Sequence, residues 1–339
     1  MKKKNFMLKI ISHLTAAAVA AVTVTGCSGG KSAERYTSLE GNVWHTTMHI
    51  TYGSERDLSE EVTDVTKRVE ESLSPFLPDS RISRINHNSD MATDGYIEQV
   101  LAESQRVNRL SGGAFDPTVA PLVNLWGFGY SDEGGEPSQE QIDSCLSLVG
   151  IADCRIEDGM MIKKSPGTQF NFSAITKGFG IDCIAGMLRD EGVKNYMIEI
   201  GGEVALSGVN SRGEKWHIQI DSPASDASGH ERLSVIEVTD CCIATSGNYR
   251  NYRDTSHGRI GHTISPSDGK PYTGNVLSAT VIAPSTMTAD ALATALMAMD
   301  AEAGMSMIEG LDNVEALLVV ADGDGFRLVK SSGFPEMKQ

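Results

Sequence analysis

From Tyr196 to Ser246 the chain reads as one short strand after another, and that run limits the fold more than any other stretch. Tyr196–Ile200, Val204–Val209, Trp216–Ile220, Leu233–Val238 and Ile243–Ser246 are rich in β-branched and aromatic residues. Gly201-Gly202 separates the first two, and a polar hairpin loop is expected from Ser222 to His230. Helical periodicity appears elsewhere. Val62, Val65, Val69 and Leu73 make one apolar stripe, and Ile97, Val100, Leu101, Val107 and Leu110 make another. Strand runs and helices alternate irregularly and no internal repeat is present, so a doubly wound sheet is a poor match. The expectation is an α+β fold, a single large domain of residues 40–332 with mixed or antiparallel sheets and packed helices.

Local signals fill in the rest. Gly41–Tyr52 reads as a first strand, and Ser59 as the cap of a helix that Pro75 and Pro78 end. Asp79–Asn86 is expected as a polar turn. A helix over Tyr96–Leu110 stops at Gly112-Gly113. Ala114–Tyr130 is dense in Pro, Gly and aromatic residues and is expected as a packed loop lining a pocket. Ser138-x-x-Gln141 is a capping box opening a short helix. Val276–Ala283 reads as a buried strand, and Thr286 or Thr288 starts the helix through Leu292 and Leu296. Leu317–Val320 and Phe326–Val329 read as a hairpin across Asp322–Gly325.

The N-terminus is expected to be a targeting segment outside the fold. Lys2, Lys3, Lys4 and Lys9 precede an apolar run, Ile10–Val24, too short and interrupted to span a bilayer. The run closes on Val24-Thr25-Gly26-Cys27, the pattern of a bacterial lipoprotein signal cleaved before an acylated Cys27. Residues 1–26 are then a signal peptide and 27–39 a lipidated, flexible linker. The mature chain is placed in the bacterial cell envelope, anchored by lipid on the periplasmic side of the inner membrane. Removing residues 1–26 takes four lysines and no acid, leaving 25 basic against 45 acidic side chains, a net charge of −20. A chain that acidic makes a poor nucleic-acid binder. Cys145, Cys154, Cys183, Cys241 and Cys242 remain, an odd number without metal-type spacing, which argues against a disulfide scaffold or a zinc site.

The chemistry-bearing stretch is Asn171–Asp182. Phe170 and Phe172 alternate with polar residues as at the end of a strand, Ser173 is a plausible N-cap, and Phe179, Ile184 and Leu188 continue at helical spacing. Thr176, Lys177 and Gly178 would sit at the junction, where free amides and the helix dipole favour an anion. On these residues alone an ordinary junction with a solvated lysine is the better match, and the matching stretches elsewhere shift the balance. Asp290 and Thr294 are four apart on one helix and share a face. A carboxylate and a hydroxyl, joined by a backbone carbonyl, suit Mg²⁺. His262 lies beside a turn, and its pKa range suits taking a proton from a hydroxyl. Asp116 before Pro117 reads most simply as a turn cap.

Taken in order, AFDPTVAPLVNLWGFG, NFSAITKGFGID, YMIEIGGEVALSG, SGNYRNY, GHTISPSDGKP and TADALATALMAM resemble the ApbE family, the FAD:protein FMN transferases. The resemblance covers about Glu40 to Lys330. It implies a lipid-anchored envelope enzyme that binds FAD and Mg²⁺ and moves FMN from FAD onto a threonine of an acceptor protein, releasing AMP. The implied acceptor carries a Ser/Thr-Gly-Ala-Thr type motif, as in subunits of sodium-pumping (Nqr) or Rnf electron-transport complexes. By motif, Ala174 (through its carbonyl), Asp290 and Thr294 take metal positions. Trp44, Phe76, Ala114, Phe115, Asp116, Asn171, Lys177 and His262 take FAD-contact positions, with His262 and Asp290 catalytic. Trp44-His45 stands where many members have Met-Gly, Asn171 where an Asp is common, and Ala293 where some carry a second carboxylate. Two other activities suit the same residues: an Mg²⁺-dependent FAD pyrophosphatase, and a non-catalytic flavin-binding envelope lipoprotein. Each enzyme reading requires Lys177 and Asp290 to meet in one cavity.

Overall fold

The computed structural model describes residues 20–24 and 35–338, apart from 130–135, 224–231, 248–251, 256–257 and 324, with backbone alone at 20–24, 252–255 and 258–260. The strands are β1 (Ala20–Val24), β2 (Tyr36–Val43), β3 (Thr46–Gly53), β4 (Arg155–Glu157), β5 (Met160–Ile162), β6 (Tyr196–Ile200), β7 (Glu203–Ser207) and β8 (Trp216–Asp221). They continue with β9 (Arg232–Val238), β10 (Cys242–Gly247), β11 (Tyr252–Thr255), β12 (Gly258–Gly261), β13 (Val276–Ala283), β14 (Glu315–Asp322) and β15 (Gly325–Lys330). The helices are α1 (Ser59–Leu73), α2 (Arg81–Asn86), α3 (Gly95–Leu110), α4 (Ala120–Leu125), α5 (Gln139–Leu146), α6 (Ser173–Asp190), α7 (Thr286–Met297) and α8 (Ala301–Glu309).

One nine-stranded sheet runs β1-β2-β3-β6-β7-β10-β13-β14-β15, with every neighbouring pair antiparallel. The α+β expectation holds, and the main sheet is wholly antiparallel. Successive residues of a strand face opposite sides, so a central strand must be apolar on both. Along β13, Val281 packs under the helices while Ile282 faces the opposite layer; along β14, Leu318 and Leu317 divide in the same way. Helices α1, α3, α6 and α7 cover one side. The β8–β9 ribbon covers the other with Trp216, Ile220, Ile236 and Val238, joined by Phe334. Each fully buried Leu, Ile or Val contributes roughly 1.5–3 kcal/mol relative to exposure. No described helix is long and apolar enough to cross a membrane.

Several expectations are met in detail. Ser138 and Gln141 form the reciprocal capping box, β13 spans the residues expected of it, and β14 turns into β15 with Asp322 opposite Gly325. The five described cysteines are free thiols.

Other local expectations fail, each for a physical reason. Gly41–Tyr52 is not one strand: the chain turns at Trp44-His45, with Val43 opposite Thr46. Both turn residues have positive φ, 48° and 63°, as a two-residue hairpin turn requires. That conformation costs a non-glycine residue roughly 1–2 kcal/mol. The indole offsets it by packing against the helical side and donating from Nε1 to the Thr66 carbonyl at 3.2 Å. Ser59 is the first helical residue of α1 and not its cap; Leu58 stands at the cap position without a side-chain bond. Asp79–Asn86 contains α2, capped by Ser80 accepting from the Ser83 amide. Ala114–Tyr130 is more regular than expected, with a 3₁₀ turn at Pro117–Val119 leading into α4.

The junction at Asn171–Asp182 is also built differently. Phe170 and Phe172 belong to no strand; they are fully buried and their rings stack 5.4 Å apart. Asn86 holds this irregular segment in place of a sheet ladder. Its Nδ2 donates to the Phe170 carbonyl at 2.9 Å and its Oδ1 accepts from the Phe170 amide at 2.8 Å. Ser173 is the first residue of α6 and caps nothing, so Lys177 lies inside the helix, one turn from its start.

Ala20–Val24, within the stretch expected to be a signal peptide, adds to the sheet edge, pairing Val24 with Tyr36 through Ala20 with Glu40. A free edge such as β2 offers unpaired amides and carbonyls that a short extended segment satisfies. Cys27 lies outside the described residues.

Candidate active site

Three walls close on one cavity of about 410 Å³. The segment from Ala114 to Phe128 forms the first wall, the start of α6 and the flank of α7 form the second, and the β6–β7 turn with the end of β10 forms the third. His262 to Pro266 completes the rim. Specific bonds hold the walls together. The Asn171 amide donates to the Pro117 carbonyl at 2.9 Å, and Trp126 Nε1 donates to the Gly269 carbonyl at 2.8 Å.

Of the residues singled out from sequence, Phe76, Ala114, Phe115, Asp116, Asn171, Ala174, Lys177, His262, Asp290 and Thr294 all line this cavity. Trp44 does not. It packs against Gly180 in α6, where an added Cβ would lie 2.0 Å from the ring, and braces the hairpin whose His45 meets Phe76 edge to face at 5.7 Å. Phe76 is 53% exposed at the mouth, an aromatic side chain of the kind that stacks on flat ligand rings. Asp116 is a true turn cap as well as a wall. Its Oδ1 accepts from the Thr118 amide at 2.8 Å and its Oδ2 from the Ile151 amide at 3.0 Å. Burial pushes its carboxyl up, and those bonds pull it back.

The charged centre lies where α6, α7 and β7 meet. Lys177 reaches Glu203, the first residue of β7, through a short charged hydrogen bond. Asp290 is 3% exposed, and its Oδ2 accepts from the Gly178 amide at 3.1 Å. In a regular helix that amide serves the carbonyl four residues earlier, that of Ala174. Thr294 Oγ1 is 3.4 Å from Ser246 Oγ. Burial raises the Asp290 carboxyl to about 7; Glu203 adds to the rise, while Lys177 and the Gly178 amide oppose it. Glu203 is raised by burial and held down chiefly by Lys177.

Close helix packing makes this geometry possible. A Cβ on Gly178 would sit 2.4 Å from the Thr286 carbonyl oxygen and 2.9 Å from Asp290 Cβ, so only glycine lets α6 approach α7 here. Asp182, one turn further along α6, accepts from the Thr286 and Met287 amides at 2.8 and 2.9 Å and caps α7 from outside.

Sequence reading passed over Asp182, Glu203 and Ser246, although each lies in a quoted motif. The signal for Glu203 was available: a carboxylate directly after Gly-Gly between two strand runs. No group of three or more His, Cys, Asp or Glu able to hold a metal occurs among the described residues. The donors on offer are instead the Asp290 carboxylate, the Thr294 hydroxyl and the Ala174 carbonyl, hard oxygens that suit a small divalent cation completing its shell with ligand phosphate and water.

Fold and site define an enzyme class: an antiparallel α+β domain whose half-buried lysine and buried carboxylates face a cavity with an aromatic mouth. The ApbE family model matches residues 44–318, and the chain belongs to that family. It is 37% identical to the FAD:protein FMN transferase of Vibrio cholerae over 92% of this chain and 94% of that protein. Identity to the enzyme of the same name from Haemophilus influenzae is 33%, over 98% and 99%. The solved flavin transferase ApbE from Vibrio cholerae superposes with a TM-score of 0.79 at 36% identity, covering 88% of this chain and 98% of that one.

Proposed function

We propose that this transferase takes FAD as its donor substrate and, with Mg²⁺, attaches FMN to a threonine hydroxyl of an acceptor protein, releasing AMP. The observation that carries the reading is the convergence of Lys177, Asp290, Thr294, Asn171 and His262 on one cavity from segments far apart in sequence.

Asp290, Thr294 and the Ala174 carbonyl would hold the metal, which supplies charge neutralisation on the diphosphate when bound. Lys177 adds a second positive charge, offsetting the repulsion that an acidic chain presents to an anion. Phe76 offers a stacking face for the isoalloxazine or adenine ring. The acceptor's hydroxyl oxygen bonds to the FMN-side phosphorus, the bond from that phosphorus to the bridging oxygen breaks, and AMP departs with the electron pair. His262 takes the hydroxyl proton. The nucleophile belongs to the acceptor, in keeping with a cavity organised around charge and not around a serine–histidine–carboxylate set. The acceptor would carry the Ser/Thr-Gly-Ala-Thr type motif of Nqr- or Rnf-type subunits. Acylated Cys27 would tether the enzyme to the periplasmic side of the inner membrane.

Incubation of the protein with FAD, Mg²⁺ and an acceptor peptide, followed by weighing the peptide, tests the proposal. A gain of one FMN less one water supports transfer. Free AMP with unchanged peptide mass would establish hydrolysis instead, and FAD recovered intact would establish a binding protein.

A further inference from the structure

Glu203 stands at the first position of β7, directly after a two-residue turn, with Ile200 and Glu203 paired across it. Gly201 and Gly202 have φ of 63° and 102°, which fixes the turn tightly and sets the direction of the side chain that follows. The residue is 3% exposed and lines the cavity. Its Oε1 takes the Lys177 ammonium, whereas its Oε2 is buried with no hydrogen-bond partner. A buried carboxylate with one oxygen unpaired costs stability. A salt bridge that served the fold alone would be better replaced by apolar side chains of similar size. Lys177, by contrast, is about a third exposed and carries a flexible stem, so where its charge sits depends on the groups that bond to it, Glu203 among them.

We propose that Glu203 is the positioning residue of this site: it fixes the Lys177 ammonium at the cavity wall, so that the positive charge meets the ligand's diphosphate in one place. The proposal rests on reading the cavity as the FAD site. Pre-orientation matters here because charge stabilisation in a partly buried site depends on donors that need no reorganisation when charge develops. A misplacement of about 1 Å can cost about 100-fold in rate, so releasing the lysine from its position should slow transfer about 10- to 100-fold.

The test compares full-length wild type with Glu203→Gln, Glu203→Asp, Lys177→Gln and the Lys177→Gln/Glu203→Gln double variant. Glu203→Gln keeps the shape and should melt no lower than wild type. Its kcat for FMN transfer should fall about 10- to 100-fold while KM for FAD changes much less. Glu203→Asp should recover part of the loss. The double variant should be no slower than Lys177→Gln alone, because Glu203 acts through the lysine. A second readout needs no transfer activity: acylation of Lys177 by an amine-specific reagent, followed by peptide mass mapping. Release of the ion pair should raise labelling at Lys177 several-fold in Glu203→Gln.

Unchanged kcat in Glu203→Gln, multiplicative losses in the double variant, or unchanged Lys177 labelling would each overturn the assignment. Absence of FMN transfer by wild type, with labelling still raised in the variant, would count against the proposed reaction while leaving the pairing intact.

Discussion

At the level of single residues, Asp290 governs how the site responds to pH. Its carboxyl is raised from an ordinary 3.8 to about 7, first by burial and then by the neighbouring Glu203. The folded protein therefore holds this proton more tightly than the unfolded chain does. The group's stabilising contribution is complete below about pH 4 and is lost as pH climbs through about 7. Melting curves recorded in chelator should show stability declining over that interval, and Asp290→Asn should remove this group's part of the slope. Divalent cations bind the ionised form, so Mg²⁺ affinity should rise about tenfold per pH unit below 7 and level off above it. Calorimetric titration at several pH values checks this, and an affinity flat from pH 5.5 to 8 would refute the assignment of Asp290. Asp290→Ala should abolish FMN attachment while leaving a folded protein, because the Gly178 amide it serves can fall back on its helical acceptor.

At the level of elements, the contact between α6 and α7 decides the geometry, and two residues test it. In an exposed helix, Gly→Ala gains about 1 kcal/mol of propensity. At Gly178 the new Cβ would meet the Thr286 carbonyl at 2.4 Å, a backbone atom that cannot step aside. Overpacking of this kind costs roughly 1–3 kcal/mol. Gly178→Ala should therefore lower Tm in thermal denaturation and weaken FAD binding as α7 is pushed away; an unchanged or higher Tm would show that the helices can separate freely. Asp182→Ala removes the acceptor for two α7 amides and should cost roughly 0.5–2 kcal/mol, the usual range for a lost cap, read as a lower denaturation midpoint in urea.

These contacts also show where the sequence was legible. Helices with local signals, such as the Ser138–Gln141 box and the stripe of α3, could be read because three or four residues suffice to specify them. The Asp182 cap could not, because it joins residues 104 and 105 apart in sequence. The turn at Trp44-His45 was hidden for another reason: neither residue type favours positive φ, and only the tertiary packing of the indole against α6 holds it there. Phe170 and Phe172 mimicked strand alternation because irregular chain with two buried rings gives the same pattern as a half-buried strand. The residues singled out from sequence, Trp44 apart, line one cavity because the motifs that carry them meet there in the fold. The place of Glu203 after Gly-Gly was legible, but its bond to Lys177 was not, because that partner lies on another element, 26 residues away.

At the level of the whole molecule, strand β1 lies at the margin of the fold. Strand β1 gives β2 a second neighbour, but β2 keeps its full pairing with β3, from Tyr36 with Gly53 to Val43 with Thr46. Leu39 is fully buried in the cluster formed with α1 and α6, and Val43 lies in the same cluster. The ApbE family match begins at residue 44, and the Vibrio cholerae structure is 98% covered while using 88% of this chain. The pairing of β2 with β3 and the burial of Leu39 do not require that edge strand. Exposing β2 does carry a hazard, since a bare edge invites pairing between molecules. A net charge of −20 without residues 1–26 opposes such association through repulsion. A chain beginning at Ser28 should thus melt within a few degrees of the full-length protein and transfer FMN at the same rate. It should remain monodisperse at low salt, and any association should grow as salt screens the repulsion. A truncated chain that failed to fold at all would make residues 20–24 an integral strand and move the domain boundary upstream of Cys27.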